Sequence, residues 1–352
     1  MDLKEIYLTS LRLCAPEILV QAYIRPSMPR NVVAIGKCAG ALLDGVAAIH
    51  PLESAFVAIP EGYRLPQSPA EVHVGGHPFM TPASFAAGLA LLTYVDRHDD
   101  ILFLVSGGGS ACVEVPLAPA TEAEVARINA ELVRGGFPIA RINAERRKLS
   151  AIKGGRLGAR VRGTAVTLVY SDVSTDAWSD VASGPARPDH LIADNATLVQ
   201  TAARLCGETA IVLERQLECD VEEAARLLAE RAADLRPGQF LVAGGEPTVV
   251  VRGSGKGGRC TELAVRFAAR CPFRALFGSS DGVDGNSGVA AIYLPTRSIG
   301  GNPRGFQAGN SPGFQAALDN SDSLSVAMQV GEPIMIASAG NNLRDLYLVA
   351  RD

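Results

Sequence analysis

The chain has 352 residues, enough for two hydrophobic cores rather than one. At 47% hydrophobic and 20% charged it has the composition of an ordinary globular protein. Its 33 basic and 37 acidic residues leave a formal charge of −4, which argues against a general nucleic-acid or anionic-membrane surface.

The opening stretch, MDLKEIYLTSLRLCAPEILVQAYI, mixes charged residues with apolar ones at helical spacing. It reads as an amphipathic helix rather than a secretory signal. No run of about 18 uncharged apolar residues could span a bilayer, so a cytoplasmic protein is expected. The seven cysteines are scattered and form no CxxC pair, which fits a reducing compartment and buried thiols rather than a zinc site.

Short apolar runs then alternate with helical stretches. NVVAIG leads into GKCAGALLDGVAAIH; a helix over Ser84–Asp96 precedes ILFLVSGGGSA; a basic segment precedes AVTLVYSDVS. A charged helix over Val221–Asp234 comes before FLVAGGEPTVVVRG, which reads as a hairpin turning near Glu246-Pro247. CTELAVRFAARC reads as a helix, FRALFGSSDG as a strand ending in acid, and Ser298–Asn310 as a long loop. Strands apolar on both faces predict a mostly parallel sheet covered by helices. A boundary falls at 235/236, giving domains 1–235 and 236–352.

Ligands of such sheets bind beyond the carboxyl ends of the strands, where the unusual residues of this chain cluster. Ser106-Gly107-Gly108-Gly109-Ser110 could wrap backbone amides around a phosphate, or could simply be a tight turn. Lys37 follows Gly36 at the end of the first strand, where a cation is favourable only with an anion nearby. Gly253, Gly255 and Gly258 spell GxGxxG with Asp281 beyond, the outline of a dinucleotide loop. Two cations in that loop, Lys256 and Arg259, instead suit a polyphosphate under attack.

The segment Arg141–Arg162 carries eight basic residues. It includes Arg146, Arg147 and Lys153, of which Lys153 precedes Gly154-Gly155 and is expected to approach a ligand. Asp172 and Asp176, or Asp281 and Asp284, could hold Mg²⁺ on bound phosphates, or cap helices. His77 is either a general base or a packed loop residue. No GxSxG, HExxH or GxxxxGK[ST] occurs.

In their order, AIGKCAG, GGHPF, LVSGGGSA, INAERRKLSAIKGGRLG, YSDVSTD, SGPARPD, GGEPTVVVRGSGKGGR, SDGVDG and AGNNLRDLYLVA resemble the glycerate 2-kinase family with its MOFRL domain. The resemblance runs from about Asn31 to the end. It implies a two-domain α/β enzyme, with a Rossmann-like, mostly parallel sheet, a smaller C-terminal MOFRL-like domain and a site in the cleft between them. It implies ATP and Mg²⁺ as cofactors and D-glycerate phosphorylated at its 2-hydroxyl.

Lys37 and Arg259 match the family's catalytic GK and GGR residues. Ser106, Gly107, Gly108, Gly109, Ser110, Lys153, Gly255, Lys256 and Gly258 are then expected on the nucleotide, Asp172 and Asp281 on the metal. His77, Asn143, Arg147, Glu246 and Asp284 are expected at the acceptor. Departures at Ser174-Thr175, Cys260-Thr261, Lys148 and Ala186 leave the acceptor open among glycerate, threonate, erythronate and related hydroxy acids. A nicotinamide-dependent hydroxypyruvate reductase and a non-catalytic nucleotide-binding relative are the competing readings. The expected partners are small molecules, with neither nucleic acid nor membrane; a homodimer is one assembly the sequence allows.

Overall fold

The computed structural model describes residues 2–173, 175–296, 312–336 and 340–352, with backbone alone at 175–177 and 312. The loop expected over Ser298–Asn310 and the side chain of Asp176 lie outside the described residues. The chain forms two compact units, Ala15–Asp194 and Met1–Cys14 with Asn195–Asp352. The two compact units meet in the chain at 14/15 and 194/195.

Helix α1 (Leu3–Leu13) is the amphipathic opening helix. It belongs to the second unit because its buried face is used there: Tyr7 Oη donates to Ser279 O at 2.6 Å, and Asn341 Nδ2 donates to Leu11 O at 3.0 Å.

The first unit starts with the short helix α2 (Pro16–Leu19) and continues with β1 (Asn31–Ile35), α3 (Ala39–Ala47), β2 (Ser54–Pro60) and β3 (Glu71–Gly75). Then come α4 (Pro82–Arg97), β4 (Ile101–Ser106), α5 (Gly109–Cys112), α6 (Glu122–Arg134), α7 (Ile139–Leu149), β5 (Ala165–Tyr170) and β6 (His190–Ala193). Every strand pair is parallel and the order is β3-β2-β1-β4-β5-β6. That is the doubly wound order, which reverses direction between β1 and β4 and opens a crevice beyond their carboxyl ends. Val33, Phe56, Phe103 and Val105 fill the core, consistent with strands apolar on both faces. Truncating a buried ring such as Phe103 to Ala would cost about 3–5 kcal/mol.

The second unit adds α8 (Asn195–Cys206), β7 (Ala210–Val212), α9 (Val221–Ala233), β8 (Phe240–Gly245), α10 (Arg259–Ala268) and β9 (Arg274–Ser279). It closes with β10 (Ala291–Leu294), α11 (Pro312–Asp319), α12 (Ser323–Val330), β11 (Glu332–Ile334) and β12 (Asp345–Ala350). Its order is β11-β10-β9-β12-β8-β7, and only β7 and β8 run parallel. The parallel expectation thus holds for the first sheet and not the second. The expected hairpin also does not form. After β8 the chain leaves as an irregular segment, tied by Glu246 N to Leu217 O at 2.9 Å and Thr248 N to Cys219 O at 3.0 Å.

Candidate active site

The first cluster lies at the reversal point of the parallel sheet. Gly36, with φ +111°, turns the chain out of β1 so tightly that a Cβ there would stand 2.3 Å from Ser106 O. Lys37 N then donates to Gly107 O at 2.8 Å, which ties the ends of β1 and β4 together. Ser106 completes the joint: its Oγ accepts from Cys38 N at 3.0 Å and donates to Ile35 O at 3.2 Å. Ser106 is fully buried, so this expected phosphate ligand is a staple between two strand ends.

Gly108 (φ +80°) is the N-cap of α5, and a Cβ on it would lie 2.8 Å from Lys37 Cγ, so the lysine stem runs across the glycine turn. The Lys37 ammonium stands 5.5 Å from the centre of the Tyr63 ring. A Cβ on Gly107 would meet Asp172 Oδ2 at 1.7 Å, so this carboxylate lies directly over the turn. Gly109 is packed against Ile35 and Ala182.

His77 faces the same turn, more than a third exposed. Partial burial, then the positive fields of Lys37 and Arg146, lower its pKa from 6.5 to about 4, against a hydrogen bond to the Gly108 backbone. It is a neutral imidazole at physiological pH, too weak a base to take a hydroxyl proton unaided but suited to orienting a hydroxyl.

Beneath this surface lies a buried polar network. Lys153, 1% exposed, places Nζ 2.5 Å from Glu114 Oε2 and 3.3 Å from Val113 O. Glu114 Oε1 also accepts from Ser150 Oγ at 2.5 Å and from Val115 N at 2.8 Å. Lys153 was expected on phosphate; its ammonium is instead committed to an interior ion pair, because leaving Glu114 unpaired in the core would be costly.

Asn143 and Arg147 are likewise engaged. Asn143 Nδ2 donates to Asp180 O at 3.3 Å, its Oδ1 accepts from Ser183 Oγ at 2.9 Å, and Arg147 pairs with the Asp180 carboxylate. Ser110 Oγ joins the chain at 2.7 Å from Ser183 Oγ. These expected ligands hold the 180–183 segment against the glycine turn.

The second cluster lies at one end of the mixed sheet. Arg259 opens α10, and Asp345 grips it twice, accepting from Nε at 3.1 Å and from an Nη at 3.2 Å. Tyr347 Oη also donates to Asp345 Oδ2, at 3.0 Å. Glu246 Oε1 takes the other Nη at 2.7 Å, and Glu246 Oε2 is 3.5 Å from Arg344 Nε. Burial alone would lower the pKa of Arg259, but Asp345 and then Glu246 raise it overall. Asp345 is wholly buried, whereas the Glu246 side chain is 38% exposed, so Glu246 is the exchangeable partner. Glu246, expected on substrate, is here the counter-ion of two arginines.

The GxGxxG loop is closed on itself. Gly255 N donates to Asn320 O at 2.9 Å, Lys256 N to Asp322 Oδ1 at 3.3 Å, Gly257 N to Asn286 Oδ1 at 2.8 Å, and Gly258 N to Thr261 Oγ1 at 2.7 Å. A dinucleotide loop presents such amides to pyrophosphate; here they are already bonded. The Lys256 side chain remains exposed. Asp284 takes the bland role: its carboxylate accepts from Cys260 N and Thr261 N at 2.9 Å each, capping α10, and it is 1% exposed. Burial pushes its pKa up to about 6. Asp281 Oδ1 accepts from Ser279 Oγ at 2.7 Å and Val283 N at 2.9 Å. A cavity of about 670 Å³ in this unit is lined by Arg259, Glu246, Val251, Gly257, Asn286 and Ser323, among others.

Among the residues of these clusters that the sequence does not single out, Asp345 and Arg146 matter most. Asp345 carries no local signal because it starts a strand rather than ending one; β12 runs antiparallel to β8 and β9, so its first residue lies beside Gly245 and Ser279. Arg146 was one of eight basic residues without distinction. A signal was available, since Ile142, Asn143 and Arg146 share the buried stripe of α7 and Arg147 does not.

A glycine turn bearing a lysine at the switch point of a doubly wound sheet, in a chain with a second α/β unit, defines a class of two-unit α/β proteins. The family model described as a domain of unknown function, DUF4147, matches residues 2–216, and the MOFRL family model matches residues 239–345. A D-glycerate 2-kinase of Thermotoga maritima is 28% identical over 90% of this chain and 89% of its own length. A protein of Agrobacterium vitis, provisionally named a hydroxypyruvate reductase, is 28% identical over 99% and 93%. The crystal structure of a glycerate kinase from Thermotoga maritima superposes with a TM-score of 0.85 at 26% identity, covering 99% of this chain and 98% of that one. The chain belongs to the DUF4147–MOFRL family, that of the glycerate 2-kinases.

Proposed function

We propose that the protein is an ATP- and Mg²⁺-dependent kinase that transfers a phosphoryl group to the 2-hydroxyl of D-glycerate, giving 2-phosphoglycerate. The observation that carries this is Lys37 laid across the Gly107-Gly108 turn, a cation beside backbone able to approach a polyphosphate closely. Phosphoryl transfer asks for positioning and charge neutralisation and for little covalent help. Lys37 neutralises charge on the transferred group. Arg259, in the second unit, offers a guanidinium to an anion once Glu246 is displaced. His77, neutral, orients the acceptor hydroxyl.

Asp172 lies over the same turn. A carboxylate there would repel a polyphosphate unless a cation lay between them, which fits Mg²⁺ on Asp172; Asp281 is the second candidate. When bound, the metal would draw charge from the phosphate oxygens. Among the described residues no helix is long and apolar enough to cross a membrane.

The name of the Agrobacterium vitis relative favours a second reading, a nicotinamide-dependent reductase. The bonded amides of residues 255–258 weigh against it. One screen separates the two. ATP consumption is followed with D-glycerate, threonate, erythronate and lactate, and NADH oxidation with hydroxypyruvate. Phosphorylation of glycerate, identified by phosphorus NMR, is expected. NADH oxidation without ATP consumption would overturn the proposal, and nucleotide binding without turnover on any acid would point to a non-catalytic relative.

A further inference from the structure

Arg146 is 9% exposed, on the inner stripe of α7. Its Nε donates to Asn129 Oδ1 at 2.9 Å, and Asn129 Nδ2 donates to Pro78 O at 3.3 Å, so the guanidinium is tethered to the segment carrying His77. Its field and that of Lys37 act together on the His77 ring. Among the described residues no carboxylate pairs with it. The one buried carboxylate whose field reaches it, Glu114, is already bonded to Lys153, Ser150 and Val115. Its two terminal nitrogens have no hydrogen-bond partner there, yet neither is a fully buried unsatisfied atom, so the tip reaches solvent.

Taking a guanidinium out of water with two nitrogens unbonded is costly, and the cost is relieved when an anion binds. The unbonded pair is the flat edge of the fork that matches the two oxygens of a carboxylate. Burial, opposed by Glu114, lowers its pKa to about 10, as expected for a cation still lacking its counter-ion.

We infer that Arg146 binds the carboxylate of the acceptor, with His77 beside it at the neighbouring hydroxyl, and so selects hydroxy acids over neutral polyols. The assignment rests on the kinase reading for the identity of the acceptor. A nucleotide phosphate is the less suitable occupant, because the fork is single and enclosed while Lys37 and the glycine turn serve a polyphosphate.

The test is calorimetric binding of D-glycerate and its amide, glyceramide, to the full chain and to Arg146→Gln and Arg146→Lys, with the KM of each substrate measured alongside. Arg146→Gln is expected to weaken glycerate on the order of 100-fold. Glyceramide should bind parent and variant alike, and the KM for ATP should stay within about twofold. Arg146→Lys, which keeps the charge and loses the fork, should fall between and covers the case in which Arg146→Gln does not fold. Unchanged glycerate affinity in a variant that melts like the parent overturns the assignment, as does a loss that falls on ATP. Binding needs no turnover. A parent that binds glycerate through Arg146 without consuming ATP sinks the kinase reading alone; a parent that turns over glycerate with KM indifferent to Arg146 sinks this assignment alone.

Discussion

Arg146 in the first unit and Arg259 in the second both lose most of their hydration, with opposite consequences. Arg146 keeps two nitrogens unbonded and its pKa falls to about 10; Arg259 has Nε and both terminal nitrogens held by carboxylates and its pKa rises. The sheets explain the difference. In the parallel sheet all strands end on one side, and the turns there gather cations and glycines. In the mixed sheet β12 runs the other way and brings a buried carboxylate, Asp345, to the same end as Glu246. One unit leaves a cation to be neutralised by a ligand, while the other supplies the counter-charge itself. A buried arginine is therefore a candidate ligand site only after its carboxylates have been sought.

The sharpest way to break this comparison is Lys37→Ala. If the parallel sheet's end carries the transfer, kcat should fall on the order of 10²–10³ with the melting temperature kept, measured by coupled ADP release. Asp345→Asn comes next. It removes the buried half of the Arg259 clamp and should cost about 2–3 kcal/mol in urea unfolding, at the low end for buried pairs because Arg259 is still a third exposed. An unchanged midpoint would show that Asp345 is no anchor.

Glu246→Gln should be milder, under about 1 kcal/mol in stability, since that carboxylate is 38% exposed. It should also tighten binding of inorganic phosphate or sulfate a few-fold by releasing one edge of Arg259. Weaker anion binding would mean that Glu246 helps to build the site rather than shield it.

The smallest effect concerns His77. Its folded pKa, about 4, lies below its ordinary 6.5, so between those values the unfolded chain holds the extra proton. Its contribution to stability is present above pH 6.5 and is lost as pH falls toward 4. His77→Gln should flatten that part of the melting-temperature profile. Asp284 acts with the opposite sign: its raised pKa, about 6, makes folding less favourable as pH climbs from about 4 to 6. Two variants, His77→Gln and Asp284→Asn, should thus move the acid limb in opposite directions.

Much of the fold was legible because its signals are local. Val/Ile/Leu-rich runs became β1, β4, β5 and β8, and the helices over 82–97, 221–233 and 259–268 follow their apolar periods. The glycine turn after β4 and Lys37 after β1 were legible for the same reason: strand, Gly and cation are consecutive. The hairpin after β8 does not form because TVVV has strand propensity but, apart from Thr248's contacts with the 219–221 segment, no strand partner among the described residues. The placement of α1 in the second unit could not be read, since nothing near Tyr7 in the sequence announces Ser279 as its partner.

By itself the sequence determined the elements and the chemical types at their ends: glycines where the backbone must turn with positive φ, and cations beside them. Only the tertiary structure decided which of those groups would have work left to do. Lys153 met Glu114 and was silenced, Arg259 met Asp345, and Arg146, adjacent in sequence to the solvent-side Arg147, was turned inward with half its fork unused. The reason is that a charge's availability depends on what surrounds it in space, and hydrogen-bond partners here come from up to hundreds of residues away.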